Sequence, residues 1–370
     1  MSIALGIDES HKVSDWPPLQ EHDIRHVLKG FGLSPAAHRP ISWQSERPFS
    51  SAGIIRLDDG YEVFIKRHDY RLRPADSLTD EHRFIEHLLA EGLPVCAPLR
   101  DHQQLSTLIA GNGVFEVFPL LKGDDLYHTT RSWEPYHNIQ HAASAGAMLA
   151  RLHQASSHYH APSRSPCLLT SCMEPLLHED LGESLRHWVL TQPGLSAHLP
   201  ANWLDELLPL VTPFHQHFLS LRDCMTPLWG HGDWHGSNLT WHRDHVYGIF
   251  DFGMSNLSCA EFDLAVALER SFIRWMAPNS SHPIAYEQIE HFLDAYNHHC
   301  PRTAARNALV ASLLPLCHIT FALSEIAYYG YLLGDQAHAD IAYHGYLLGH
   351  ARWFHSSAGQ GLLYALAPYA

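Results

Sequence analysis

The sequence predicts an α+β chain in two parts, a strand-rich N-terminal part followed by a longer and mostly helical one. Three observations carry this. Short period-two runs of apolar and β-branched residues crowd into residues 41–118, whereas apolar spacings of three and four dominate after residue 139. The chain has 370 residues, too many for one compact core of ordinary size. The division falls at the end of the last early strand, giving parts 1–119 and 120–370.

The first twenty residues read as a loose lead-in with Pro17 and Pro18, and Glu21 to Lys29 as a short helix stopped by Gly30 and Gly32. Strands follow. Ser50 to Gly53 reads as a small-residue turn, where Ser51 and its neighbours would let backbone amides approach an anion, or would simply close a hairpin. Asp58, Asp59 and Gly60 mark a second hairpin turn, and Tyr61 to Lys66 is the next strand, with Lys66 at its end. Residues 78–91 form an amphipathic helix capped by Ser77 or Thr79 and followed by Gly92. Its stripe is Phe84, Ile85, Leu88 and Leu89, and at 100° per residue Glu81 falls near the centre of that face. A buried carboxylate there needs a cationic partner, for which Lys66 is available; alternatively Glu81 only complements the helix dipole. Val95 to Leu99, Leu105 to Ala110 and Val114 to Phe118 are further strands.

In the second part, Asn138 caps a long helix over 139–155. Residues 177–190 and 203–221 are helical. After residue 265 helices are expected at 266–276, 284–298, 304–333 and 338–355, and the pentapeptide GYLLG occurs at 330–334 and again at 345–349.

Chemistry concentrates between Trp229 and Ala265, which holds His231, Asp233, Asn238, Asp251 and Asp263 in order. Leu239–Trp241 and Val246–Phe250 read as two strands around a polar turn, so antiparallel pairing would bring Asn238 and Asp251 side by side at the open end of a hairpin. Asp233 lies on the loop feeding it, which Gly232 and Gly236 allow to bend. Phosphoryl transfer requires a carboxylate that orients the attacking hydroxyl and oxygen ligands for magnesium. Asp233 suits the first role; Asn238 and Asp251 suit the second. A competing reading takes the alternating His231, Asp233 and His235 as zinc ligands on one strand face, which leaves Asn238 and Asp251 idle.

The ordered set His231-Gly232-Asp233, Asn238, Ile249, Asp251-Phe252 and Asp263-Leu264-Ala265 resembles the aminoglycoside phosphotransferase and choline kinase superfamily. The resemblance implies a bilobal protein-kinase-like fold, with a small antiparallel-sheet lobe that binds nucleotide and a larger helical catalytic lobe. It implies an ATP- and Mg2+-dependent kinase acting on a small-molecule hydroxyl. Lys66 would be the phosphate-binding lysine and Glu81 its helix partner. Val117 and Phe118 would lie at the hinge, where backbone groups read adenine, and Gly123 and Asp125-Leu126 would follow it. His231 and Asp263 would brace the catalytic loop. The acceptor region would follow Ala265, with Arg270, Trp275, Glu325, Tyr328, Tyr329 and Tyr331 as candidates, although aromatics at helical spacing belong more often to a core.

Composition narrows the class. A formal charge of −15 argues against nucleic acid and anionic membrane as partners, and leans towards a cationic acceptor. No apolar run reaches the ~18 residues of a membrane helix, and no secretory signal opens the chain. Seven cysteines without a C-x-x-C pair read as reduced thiols of a cytoplasmic protein, monomer or homodimer. Two alternatives stand beside the metabolite kinase: a bacterial stress-response-type Ser/Thr protein kinase, and a non-catalytic nucleotide-binding regulator, the latter disfavoured because every catalytic position is filled.

Overall fold

The computed structural model describes residue 5 and residues 15–45, 48–130, 133–165, 167–301 and 303–366. Most of the lead-in, including Lys12, thus lies outside the described residues. The chain separates into two compact units: His11–Lys122, and Gly123–Ala370 together with Met1–Ser10.

In the smaller unit, α1 (Glu21–Gly30) precedes a five-stranded antiparallel sheet. Its strands are β1 (Ile41–Gln44), β2 (Ser51–Arg56), β3 (Glu62–Asp69), β4 (Leu108–Ala110) and β5 (Gly113–Pro119), in the order β1-β2-β3-β5-β4. Helix α2 (Ala75–Ala90) connects β3 towards the far edge. Strand alternation sorts the residues of β3. Val63 and Ile65 join Ile24, Val27 and Leu28 of α1 in one apolar cluster. Lys66 and His68 lie on the opposite face, where His82 of α2 meets Glu116 of β5.

Several expectations shift here. Ser51, Ala52 and Gly53 are already paired in β2 rather than forming a turn. Lys66 is not the end of its strand, because β3 runs on to Asp69 against β5. Helix α2 starts three residues before the expected range, behind Pro74, so Ser77 and Thr79 are interior; Thr79 Oγ1 donates back to Ala75 O at 2.9 Å. Val95–Leu99 forms no strand; the segment is tied to the sheet by the Leu99 N–H donating to Val117 O at 2.7 Å.

The larger unit is mainly helical. It comprises α3 (Ile139–Ser156), α4 (Leu181–Thr191), α5 (Trp203–Leu221), α6 (Ala260–Phe272), α7 (Tyr286–His299), α8 (Ala304–Leu313), α9 (Ile319–Ala327), α10 (Gln336–Ile341), α11 (Leu348–Trp353) and α12 (Ser357–Leu366). Two small ribbons interrupt it: β6 (Pro227–Gly230) pairs with β9 (Asn256–Cys259), and β7 (Leu239–His242) with β8 (His245–Ile249). Asn138 caps α3 as expected, accepting from His141 N at 2.8 Å.

The expected helix over 304–333 is broken at 314–318 and ends in a π-helical turn, Tyr328–Leu333; a second π turn, Ala342–Leu347, separates α10 from α11. Both GYLLG copies therefore begin inside π turns. The helix expected from 266 begins at Ala260, because the Cys259 thiol caps it by accepting from Phe262 N at 3.4 Å. Leu5 is docked on this unit: its N–H donates to Trp275 O at 2.9 Å, and its carbonyl accepts from His350 Nε2 at 2.8 Å.

Candidate active site

The catalytic stretch is built from the two ribbons. Trp229–Gly230 of β6 leads into the loop 231–235, a 3-10 turn over Gly236–Asn238 leads into β7, and the β7–β8 hairpin returns to Asp251. Register pairs Leu239 with Ile249 and His242 with His245. Phe250 N donates to Asn238 O at 3.1 Å, which brings Asn238 and Asp251 to the same open end, as the spacing predicts.

Asp263 organises the loop from below. It is fully buried on α6 and accepts the backbone N–H groups of His231 and Gly232, each at 2.8 Å, on its two oxygens. His153 Nε2 also donates to it at 3.0 Å, and Tyr296 Oη donates to His153 Nδ1 at 2.7 Å. Burial alone would raise the carboxyl pKa; the hydrogen bonds from His153 and from the Gly232 N–H outweigh that and hold it low. Glycine is required at 232: φ is +76°, and a Cβ would sit 2.5 Å from Met254 O. Gly236 is needed for another reason, since a Cβ there would meet the Tyr127 ring at 2.6 Å.

His231 has both ring nitrogens engaged. Nε2 donates to Phe250 O at 3.1 Å, and Nδ1 accepts the Asp233 N–H at 3.3 Å. The imidazole thus pins the loop to the far strand and has no lone pair to spare for a metal, which removes the zinc reading of His231, Asp233 and His235 on geometric grounds.

Asp233 is held at both oxygens. Oδ2 accepts from Asn238 Nδ2 at 3.0 Å and from His235 Nε2 at 3.3 Å; Ser237 Oγ donates to His235 Nδ1 at 2.8 Å and so fixes that tautomer. Oδ1 lies 3.2 Å from Arg270 Nε, an ion contact without good hydrogen-bond alignment. Burial would raise the Asp233 pKa, but His235 and Arg270 beside it prevail and hold it well below the usual carboxylate range. The group is therefore ionised throughout the neutral range.

Both bonds that tie Asn238 to Asp233 use its amide nitrogen, one to the carboxylate and one to Asp233 O at 2.9 Å. The amide oxygen is thus not consumed in holding the loop. Asp251 is exposed and sits in the left-handed region at φ 59°, ψ 63°, a conformation that aspartate tolerates better than most residues. An amide oxygen and a carboxylate form a hard-oxygen donor pair, suited to a divalent cation such as magnesium that keeps some of its own water.

Arg270 was one of six acceptor candidates in the sequence, and its role beside Asp233 was not foreseen. It is buried on α6, with its guanidinium 4.6 Å from the Phe321 ring centroid and 5.4 Å from that of Trp133. Glu269 lies beside it at 3.6 Å and also faces His350 Nδ1 at 3.1 Å. The cavity here, lined by Arg270, Glu269, His318 and Phe321, measures about 10 Å³, room for a single water. Trp275, Tyr328 and Tyr329 are fully buried, in keeping with a core role, whereas Tyr331 is exposed.

In the smaller unit, Lys66 is half-buried in β3 and stands opposite Ala52 and Glu116 in register, and Glu81 is buried on α2. Val117 is fully buried, and its carbonyl is taken by Leu99. Phe118 pairs with Phe64 at the strand end. The Ser51 hydroxyl donates to Pro17 O at 2.7 Å and accepts from Arg67 Nη2 at 3.0 Å.

Comparison with known proteins now adds to this geometry. The model of the phosphotransferase enzyme family matches residues 48–299. The chain belongs to this family. The match spans the strand that carries Lys66, the loop 231–235, the hairpin and α6, so the chain is a phosphotransferase. It is 26% identical to a homoserine kinase of Janthinobacterium sp. (strain Marseille) over 260 residues, covering 65% of this chain and 67% of the relative. It is 28% identical to stress response kinase A of Escherichia coli (strain K12) over 245 residues; this match spans 65% of this chain and 63% of that relative, a little under two thirds of its length. Among solved structures, a microcompartment-associated aminopropanol kinase superposes with a TM-score of 0.60 at 15% identity, covering 92% of this chain and 99% of that one. Amicoumacin kinase hAmiN, solved with AMP-PNP, Ca2+ and its ligand, gives 0.58 at 16% identity, covering 88% and 95%. The fold is that of these small-molecule kinases: α+β, an antiparallel sheet followed by a helical part. Among the described residues no helix is long and apolar enough to cross a membrane.

Proposed function

We propose that this phosphotransferase moves the γ-phosphoryl group of ATP to a hydroxyl of a small molecule, with magnesium as cofactor. One observation carries the reading: Asp233, ionised and clamped at both oxygens, shares Asn238 with the hairpin end that presents Asp251. Asp233 orients the acceptor hydroxyl. Its low pKa makes it a weak base, which suits a loose transition state in which the proton leaves late. In the balanced reaction the hydroxyl oxygen bonds to the γ-phosphorus, the bond to the β–γ bridging oxygen breaks, and the acceptor proton is released through Asp233 to solvent. Asn238 and Asp251 hold the cation, which when bound screens phosphate charge. Lys66 binds phosphate oxygens and Glu81 fixes it. Adenine is read by the backbone at Phe118 and just beyond it, since the Val117 carbonyl is already bonded. His231 and Asp263 hold the loop and do no chemistry.

The matched relatives support an acceptor among small hydroxyl metabolites, with amino alcohols first to be screened. The division of labour follows the chain, with nucleotide binding in 1–119 and catalysis and acceptor binding in 120–370. The test is thermal unfolding with ATP, GTP and ADP, with and without Mg2+, on wild type and Asp251→Asn. A ligand that binds only the folded state raises its stability by RT ln(1 + [L]/Kd). A magnesium-dependent rise that collapses in the variant is expected, followed by ADP release in an acceptor screen. No rise with any nucleotide at millimolar concentration would remove the proposal. Autophosphorylation without small-molecule turnover would redirect it to a protein kinase.

A further inference from the structure

The smaller unit buries a polar cluster that the phosphoryl-transfer reading does not use. Glu116, in the middle of β5, is 2% exposed. Its Oε1 accepts from His68 Nε2 of β3 at 3.0 Å, and its Oε2 accepts from His82 Nε2 of α2 at 2.7 Å. His82 is fully buried, and its Nδ1 lies 2.7 Å from Ser106 Oγ, in the segment before β4.

An ionised carboxylate only accepts, so both histidines present an N–H to it at Nε2. His82 Nδ1 and the Ser106 hydroxyl share the remaining hydrogen bond. Burial alone would raise the Glu116 pKa, but the two imidazole donors outweigh it and keep the carboxylate ionised. One carboxylate thus joins two strands and a helix and, through His82, the segment before β4.

An apolar contact would pack α2 on the sheet as well, but without fixing its register. A charge-assisted hydrogen bond is directional and does fix it. His82 directly follows Glu81 on α2, and Glu116 stands opposite Lys66 across the β3–β5 ladder. The bond therefore ties the turn that carries Glu81 to the strand position facing Lys66.

We propose that the Glu116–His82 hydrogen bond is a clamp that sets the position of α2 on the sheet, making both residues positioning residues for the Lys66–Glu81 pair and hence for nucleotide binding. The inference rests on the phosphotransferase reading above, in which Lys66 contacts phosphate. Its test needs no knowledge of the acceptor. Mg-ATP affinity is measured by calorimetry on wild type, Glu116→Gln, Lys66→Met and the double variant, with far-UV circular dichroism to establish folding. Glutamine keeps the shape but turns an N–H2 towards one of two imidazole N–H groups. We expect Kd to rise about tenfold in Glu116→Gln, and the same substitution to change Kd less than twofold in the Lys66→Met background. His82→Gln, which leaves Glu116 its His68 partner, should move Kd in the same direction by a smaller factor and serves if Glu116→Gln does not fold. An unchanged Kd in the variants overturns the clamp while leaving the kinase reading intact. So does an equal loss with and without Lys66, because a purely structural role would weaken both backgrounds alike. A wild type that binds no Mg-ATP overturns the kinase reading and, with it, the clamp.

Discussion

At the scale of single residues, the site is a set of carboxylates with different tasks. Asp233 faces His235, Asn238 and Arg270 and is kept ionised. Asp233→Asn should lower kcat by ~10²- to 10⁴-fold, the usual range for a lost proton-handling group, while Mg-ATP affinity changes little. Arg270 supplies part of the charge that depresses the Asp233 pKa. In Arg270→Gln that pKa moves up towards the ordinary value, so the acid limb of the kcat–pH profile should shift to higher pH; an unmoved limb would show that the contact does not govern ionisation. Asp263 belongs to the architecture instead. Its pKa is depressed in the fold, so its contribution to stability is full above the unfolded value of about 3.9 and is lost as pH falls through the lower folded value. Asp263→Asn should cost about 3 kcal/mol in urea unfolding at pH 7 and flatten the acid side of the stability curve, because the amide keeps one acceptor oxygen but turns an N–H2 towards donors that the lost oxygen served among His153 Nε2 and the His231 and Gly232 N–H groups.

At the scale of elements, the β7–β8 hairpin was the most legible piece, because two short apolar strands around a polar turn allow only one pairing that keeps Leu239, Trp241 and Ile249 inside. That pairing brings Asn238 to Asp251. What the sequence did not reveal depended on partners far along the chain. The Asp233–Arg270 contact joins residues 37 apart by number, and it forms only because α6 starts at Ala260, capped by a cysteine thiol that no ordinary capping rule favours. Val95–Leu99 alternates like a strand, yet it meets β5 only through Leu99 at Val117, beyond the Gly113–Phe115 stretch that β4 pairs with. The breaks in the expected 304–333 helix were hidden because the apolar pattern continues through both the interruption and the π turn. Gly232 gives the element-scale prediction. At φ +76° an alanine costs about 1–2 kcal/mol in backbone strain before its clash with Met254 O, so Gly232→Ala should lower the unfolding midpoint and distort the loop enough to cost activity as well.

At the scale of the whole molecule, the two compact units are joined by an exposed stretch around Lys122, one of four lysines in the chain. Brief trypsin treatment of the native protein should cut first after Lys122, because Lys122 and Gly123 are exposed at the boundary between the units; sequencing the new N-terminus checks this. The docking of Leu5 has a consequence for the order of events on the ribosome. The hydrogen bond from His350 to Leu5 spans 345 residues. The smaller unit can complete its sheet as soon as it leaves the exit tunnel, but Leu5 must wait for nearly the entire chain before its acceptor surface exists. Leu5 thus finds its place late, after the smaller unit that follows it in the chain has had time to fold.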